Sequence, residues 1–190
     1  MQTRRFIPAA AAVMALVMTA CAPVAQKPEA VPAQPVAIVK DGELKIPADY
    51  KSWPKFLSAV QRADAGQVRE IYMNPTAAKA TAGGEFPNGT VFVMENFAAA
   101  VNADGSQKKG ADGKLVKGDL LRVFVMGKGQ GWGESAPAGL KNGDWVYAGY
   151  LPSGAQSPEP ASACRACHLP LTSKDFVFRY DEHFSQVAAK

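Results

Sequence analysis

The sequence predicts an α+β fold that is built mainly from an antiparallel β-sheet with a few short helices. Three segments are rich in β-branched and aromatic residues, as strands are, and they span residues 90–97, 120–126 and 145–151. The connections between them are rich in glycine and polar residues, which is typical of hairpins. Helical patterns are few and short, so hairpin-connected strands dominate the prediction.

The first half of the domain contains the helical patterns. Residues 44–46 predict a short strand. Residues 50–63 predict an amphipathic helix, because apolar side chains recur there at helical spacing, namely Trp53, Phe56, Leu57 and Val60. Residues 68–73 predict a strand that ends before Pro75, and residues 76–81 predict a short helix.

The clearest strand spans residues 90–97, where alternation predicts two faces: Thr90, Phe92 and Met94 on one, and Val91, Val93 and Glu95 on the other. Loops are predicted at residues 102–118, 127–143 and 152–160. Residues 175–180 predict a last short strand or extended segment. The chain is expected to fray after Phe184.

The most informative motif is Cys-Arg-Ala-Cys-His at residues 164–168. This spacing is the attachment signature of a c-type haem: Cys164 and Cys167 add to two vinyl groups, and the adjacent His168 ligates the iron. The alternatives are a disulfide, a redox dithiol or half of a zinc site. A zinc site needs further ligands, and His183 is the only other histidine. The motif therefore predicts one covalent haem c, bound near the C-terminus.

The first residues of the chain indicate that the protein is exported from the cytoplasm. Residues 1–20 form a lipoprotein-type signal peptide, in which Arg4 and Arg5 precede an apolar stretch too short for a comfortable transmembrane helix. Small residues then precede Cys21, which predicts lipidation there and a periplasmic protein anchored to the bacterial membrane by lipid alone. The alternative is a plain secretory signal. With three cysteines in the chain, lipid on Cys21 and haem on the other two leave no odd thiol.

The rest of the chain divides into three parts. Residues 21–40 are rich in Ala, Pro and Val and predict a flexible tether. Residues 41–184 are long enough for one folded haem domain, and residues 185–190 form a tail. The formal net charge of +4 falls by two when the signal peptide leaves, and haem propionates bring it close to neutral. The charge therefore gives no argument for binding nucleic acid.

Several segments stand in an order that resembles one known family. They are residues 68–75 (VREIYMNP), 84–91 (GEFPNGTV), the strand from Trp145, the C-x-x-C-H motif and residues 174–178 (KDFVF). Together they resemble the cytochrome P-460 and cytochrome c′-beta family over roughly residues 44–180. The resemblance implies a homodimer of mostly antiparallel β protomers. Each protomer is then expected to hold one high-spin haem, with His168 on one side of the iron and an open site on the other.

The two branches of that family differ in whether a lysine is covalently joined to the haem. P-460 members oxidise hydroxylamine and have a lysine covalently joined to the haem, whereas c′-beta members lack the bond and bind nitric oxide in an apolar pocket. An ungapped alignment puts Met94 at the lysine position, which argues against P-460 chemistry. Lys55 and Lys79 are the alternative lysines, and both lie outside this strand. Met94 is expected to line the haem pocket, to ligate the iron as in His/Met electron carriers, or to join the haem as a sulfonium.

Three further residues are candidates by resemblance or position. Phe86 packs over the distal haem face and restricts access, or is an ordinary core residue. Arg69 bonds a bound ligand or a haem propionate, or is a solvated strand residue. Glu159 takes protons from hydroxylamine, or is an exposed loop residue. His183 is expected to be exposed; the alternative is a distal iron ligand.

Three functions remain open at this point. The first is a redox enzyme that oxidises hydroxylamine or nitric oxide at an open haem iron. The second is a protein that binds or senses nitric oxide without turnover, and the third is a six-coordinate electron carrier. The resemblance favours the first two. Because the chain has one haem motif, any turnover is expected to need an external redox partner such as another cytochrome.

Overall fold

The computed structural model describes residues 37–189, and a five-stranded sheet forms their centre. The strands follow one another in chain order and every neighbouring pair is antiparallel. They are β1 Lys55–Arg62, β2 Gln67–Met73, β3 Val91–Ala99, β4 Lys117–Lys128 and β5 Trp145–Tyr150. This meander confirms the predicted α+β fold with a mainly antiparallel sheet. The signal peptide, Cys21 and most of the predicted tether lie outside the described residues.

Two α-helices follow the sheet, α1 Ala161–His168 and α2 Tyr180–Ala188. Short 3-10 helices occur at Tyr50–Ser52, Ala63–Ala65, Ala77–Lys79, Trp132–Ser135 and Leu169–Lys174. The helix α2 continues past Phe184, where the chain was expected to fray. Within residues 37–189, no helix has the length and apolarity needed to cross a membrane.

The predicted helix at residues 50–63 is wrong, because most of this segment is the edge strand β1. The pairing of β1 with β2 shifts register twice, and Ala59 has a positive φ of 50°. Such irregularities break the two-residue alternation of a strand. As a result Phe56, Leu57 and Val60 are all buried, and their spacing imitates one face of a helix.

Two short predicted strands are also wrong. Residues 44–46 pair with no strand; instead Leu44 and Ile46 pack on the sheet, and the Leu44 carbonyl accepts a hydrogen bond of 2.7 Å from Tyr150. Residues 175–180 form a tight turn that leads into α2. Three of its non-glycine residues, Asp175, Phe176 and Arg179, have positive φ. Tertiary contacts therefore override the extended preference of this apolar segment.

The alternation predicted for β3 is confirmed by the strand register. Phe92 and Met94 stand opposite Met126 and Phe124 of β4, and we call this side of the sheet the pocket face. The pocket face packs against α1, α2 and the turn between them. The opposite face is covered by the segment before β1, with Tyr50 and Trp53 packed over Tyr72 and Val93.

A buried carboxylate holds that covering segment in place. Glu95 accepts hydrogen bonds from Tyr50 (2.9 Å) and Tyr72 (3.1 Å), and it also pairs with Lys51. Burial alone would raise the pKa of Glu95, but the bonds from Lys51 and Tyr50 outweigh burial and lower it. The same pairing raises the pKa of Lys51 to about 12 against the effect of burial.

Replacing Glu95 with glutamine should lower the free energy of unfolding at pH 7 by about 2 kcal/mol, since bonds to a charged acceptor are lost. Because its folded pKa is lowered, Glu95 contributes stability above its unfolded pKa and loses it as the pH falls through the folded pKa. Urea titrations at pH 7 and pH 3 should therefore show the variant approaching the wild type in acid. Glu43→Gln, at an exposed position, is the control. If Glu95→Gln lowers the free energy of unfolding as much at pH 3 as at pH 7, the stability does not come from the ionised carboxylate of Glu95.

Candidate haem site

The helix α1 carries the whole C-x-x-C-H motif. It begins after Pro160, whose missing N–H costs nothing at a helix start. Cys164 and Cys167 are three residues apart in the helix, so both thiols project from neighbouring positions on one side. Neither forms a disulfide within the described residues; Cys164 is half-buried and Cys167 is exposed. The helix thus presents two thiols and His168 at one edge of the sheet.

A buried arginine inside the motif fixes α1 to the sheet. Arg165 is 1% exposed and donates two hydrogen bonds to Asp41, at 2.5 and 3.0 Å. It also donates to the carbonyls of Trp145 (2.9 Å) and Leu140 (3.3 Å). Asn142 in turn donates to the Arg165 carbonyl at 3.1 Å. Sequence reasoning treated this position as a spacer between the cysteines.

The imidazole of His168 is oriented by the turn before α2. Its Nδ1 lies 2.6 Å from the Phe176 carbonyl oxygen. A carbonyl only accepts, so Nδ1 carries the proton and Nε2 is left with the lone pair that a metal requires. Burial lowers the pKa of His168 and so favours the neutral ring, although the hydrogen bond to the Phe176 carbonyl acts in the other direction. The rings of Tyr147 and Phe178 contact it with centroids at 5.1 and 4.9 Å.

A cavity of about 530 Å³ lies between this helix and the pocket face. Both motif cysteines and His168 line it. Most of its other walls are apolar: Phe56, Val60, Ile71, Phe92, Met94, Phe124, Val125, Met126, Tyr147, Ala148, Ala163, Val177 and Phe178. Its size is in the range of cofactor sites. Two thiols, a neutral imidazole with a free Nε2 and an apolar slot together fit a covalently attached haem.

The sequence analysis missed most of this apolar wall. Phe124 and Met126 belong to the strand predicted at residues 120–126, and alternation alone puts them on one face. Ile71 could have been found in the same way from β2. The contacts of Tyr147 and Phe178 with His168 could not be predicted from neighbouring residues in the sequence. They depend on how the turn before α2 packs against β5.

Cationic side chains also line the cavity. Arg62 and Arg179 are paired with Asp64 and Glu182, at 2.8 and 2.7 Å. Arg69 has no carboxylate partner in residues 37–189, and its buried Nε has no hydrogen-bond partner there. Burial lowers the pKa of Arg69, and the neighbouring charge of Arg62 lowers it further. Arg69 therefore brings to the cavity a positive charge that no direct ion pair neutralises among the described residues, although Asp64 acts on it from a distance.

Met94, the residue aligned with the lysine position, lies on the cavity wall, and whether it only lines a haem pocket, ligates the iron or joins the haem stays a prediction. None of the lining residues described is a lysine. Lys55 instead pairs with Glu70 at 3.1 Å and covers the Tyr72 ring, and Lys79 is exposed in its 3-10 helix. The described cavity thus offers no amine for a covalent bond to the haem.

Phe86 does not line this cavity. It is 1% exposed and lies in an aromatic cluster, with ring centroids 5.1 Å from Phe92 and 5.9 Å from Tyr180. Phe92 occupies the cavity wall in front of it. The predicted role over the distal haem face stays a prediction.

Glu159 lies outside the main cavity as well. It is exposed and lines a second cavity of about 400 Å³, which adjoins the first and shares Phe124, Tyr147, Ala148 and Cys164 with it. Glu159 itself does not line the first cavity, and its role as a proton acceptor stays a prediction.

The expectation that His183 is exposed is wrong. His183 is 5% exposed; its Nδ1 lies 2.9 Å from the Phe56 carbonyl, and its ring stacks on Phe56 at 4.2 Å. The polar pair before it suggested a solvated tail. The helical spacing of Tyr180, His183 and Phe184 was the signal that places all three on the buried side of α2.

Comparison with known proteins agrees with this geometry. Residues 47–179, more than half of the chain, match the family described as Cytochrome P460. The search of curated proteins found no match. The family suggests a c-type cytochrome acting on nitrogen compounds and implies a covalently bound haem c. The resemblance stated from the sequence is confirmed, and the chain belongs to the cytochrome P460 family.

Proposed function

We propose that this cytochrome binds nitric oxide, or a ligand of similar size and polarity, at an open iron site without turning it over. The observation that carries the proposal is the wall of the cavity. Met94 stands at the lysine position, and the described lining contains no lysine at all. The covalent amine that distinguishes the hydroxylamine-oxidising branch is therefore missing where it is expected.

The chain's own residues define which ligand the site accepts. A haem bound here would supply an iron atom able to coordinate a small nitrogen ligand. His168 would ligate that iron through Nε2, and Cys164 and Cys167 would hold the haem covalently. Phe92, Met94 and Phe124 form an apolar wall, which disfavours charged ligands and water because polar groups lose hydration there without gaining partners.

Arg69 is proposed to neutralise an anion in the cavity. Its charge is partly buried without a carboxylate partner among the described residues. An unpaired buried charge is costly, so a haem propionate is the natural counter-ion. A hydrogen bond from Arg69 to a bound ligand is the alternative from the sequence.

A second candidate is a His/Met electron-transfer cytochrome. Two methionines, Met94 and Met126, line the same cavity as His168, and a thioether ligand raises the potential of a haem. Hydroxylamine oxidation has weaker support. It needs a proton acceptor beside the ligand, and Glu159 lines the second cavity instead.

Met94→Leu separates these candidates, because leucine keeps the apolar volume and removes the sulfur. For the purified ferrous holoprotein we expect a five-coordinate, high-spin spectrum that this substitution leaves unchanged. Nitric oxide should bind at one equivalent per haem in both proteins. Hydroxylamine with an added cytochrome acceptor should give no sustained reduction of that acceptor.

Two results would contradict the proposal. A low-spin ferrous spectrum, together with a sulfur-to-iron band in the ferric protein that Met94→Leu abolishes, would establish the electron carrier. Sustained hydroxylamine oxidation would establish the enzyme, and Glu159→Gln would then test the proton acceptor. Ile71→Leu, an apolar change in the same wall, is the control for general effects of repacking.

The remaining assignments are proposals from the sequence. We propose a periplasmic homodimer that is anchored by lipid on Cys21 and holds one haem per chain. If electrons leave the haem, an external partner such as another cytochrome takes them.

A further inference from the structure

We infer that Asp175 is a positioning residue, which sets the strength of His168 as an iron ligand by fixing the Phe176 carbonyl. The inference rests on His168 ligating the iron, and it does not depend on which small ligand binds opposite. Neither the function proposed above nor the family match assigns Asp175 a role.

The side chain of Asp175 is the centre of a buried polar cluster. Its carboxylate accepts hydrogen bonds from the Phe86 N–H (2.8 Å), from Lys128 Nζ (3.0 Å to each oxygen) and from Trp145 Nε1 (3.2 Å). Asp175 and Lys128 are 7% and 6% exposed. We call Asp175, Lys128, Trp145 and the Phe86 N–H the Asp175 cluster. It ties the turn before α2 to the ends of β4 and β5.

The turn needs this support because its backbone is strained. Asp175, Phe176 and Arg179 have φ values of 48°, 59° and 57°. Non-glycine residues in this left-handed region cost about 1–2 kcal/mol each. Such a conformation persists only where surrounding contacts determine it. Here the buried bonds to the Asp175 carboxylate are the contacts that do so.

The strained turn touches His168 in two ways. The Phe176 carbonyl oxygen accepts a hydrogen bond from the Nδ1–H of His168, with 2.6 Å between N and O, and the Phe178 ring meets the imidazole edge-on with centroids 4.9 Å apart. A hydrogen bond at Nδ1 fixes the tautomer and makes Nε2 a stronger donor. Asp175 therefore acts on the iron ligand through the backbone, one residue away, without touching it.

Glu85 and Asp181 provide matched controls near the cluster. Glu85 also pairs with Lys128, at 2.8 Å, but its side chain is 80% exposed. Asp181 pairs with Lys174 at 2.7 Å on the surface of the same segment. Glu85→Gln and Asp181→Asn each remove a carboxylate close to the cluster and leave the Asp175 bonds intact.

The test is resonance Raman spectroscopy and redox titration of the ferrous holoprotein. Asp175→Asn should shift the iron–histidine stretching band to lower frequency and move the reduction potential to more positive values. Trp145→Phe removes only the hydrogen bond from Nε1 to Asp175, so the band and the potential should shift in the same directions but by less. Glu85→Gln and Asp181→Asn should give neither. A merely structural role would lower the unfolding temperature without moving the band.

Failure of the inference is distinguishable from failure of the ligand assignment. If His168→Gly retains the wild-type band, His168 is not the ligand and the inference falls with it. If the band disappears in His168→Gly but stays unshifted in Asp175→Asn and Trp145→Phe, the ligand assignment holds and the positioning role is refuted. Should Asp175→Asn not fold, Trp145→Phe decides alone, since it keeps an aromatic ring beside Phe92 and removes the Nε1 donor.

Discussion

Replacing Arg165 with alanine is expected to lower the free energy of unfolding by about 3–5 kcal/mol, which is the cost of breaking a buried pair by removing one partner. For a domain of this size, the unfolding temperature should fall by roughly 10 °C. The loss of stability comes from the groups that Arg165 bonds. Arg165 neutralises Asp41 and satisfies two carbonyls, those of Trp145 and Leu140, so its loss leaves all of them without the donor.

Urea or thermal unfolding of the holoprotein measures this effect. Arg165→Lys keeps the charge but not the planar fork that bonds Asp41 at two points, so it should recover only part of the loss. A double-mutant cycle with Asp41→Asn should give a coupling energy above 1 kcal/mol, roughly the upper limit for exposed pairs. Lys114→Ala, which breaks an exposed pair with Asp112, should have little effect. A coupling near zero would contradict the pairing of Arg165 with Asp41.

Replacing Phe86 with alanine is expected to cost about 3–5 kcal/mol of stability, the usual cost of removing a buried phenylalanine ring. The ring contacts five others: Phe56, Phe92, Trp145, Tyr180 and Phe184. It therefore joins the sheet to α2, and a cavity there weakens both. Phe86→Leu should cost less, because it leaves a smaller void.

This prediction also decides between a core role and a gating role for Phe86. The association rate of nitric oxide, measured by flow kinetics, should be unchanged in Phe86→Leu. It should change in Phe92→Leu, because Phe92 lies on the cavity wall. If Phe86→Leu speeds ligand association while Phe92→Leu does not, the ring controls access to the haem and the core assignment is wrong.

Some residues of the site could be identified from the sequence, and the surroundings of others could not. The sequence alone identifies Cys164, Cys167 and His168, because haem attachment requires a fixed spacing between residues that are close together in the chain. Met94 was placed by strand alternation together with the resemblance, and it lies on the cavity wall. The surroundings of His183 were misjudged, because the two acidic residues before it outweighed the helical spacing.

The errors in the fold have a common cause. The register shifts of β1 imitate a helix, and the apolar run of residues 175–180 imitates a strand. In both places the local preference is overridden by contacts distant in the chain. Asp175 illustrates this: its partners Lys128, Trp145 and the Phe86 N–H lie 47, 30 and 89 residues away.

By itself, the sequence determined the haem attachment motif, four of the five strands, the faces of β3 and the family. These features follow from periodicity and from covalent spacing, which need only neighbouring residues. Only the tertiary structure decided that Arg165 is a buried anchor, that no described lysine reaches the cavity and that the Asp175 cluster supports His168. Those facts depend on burial, and burial is decided by what packs on each face once the whole chain is folded.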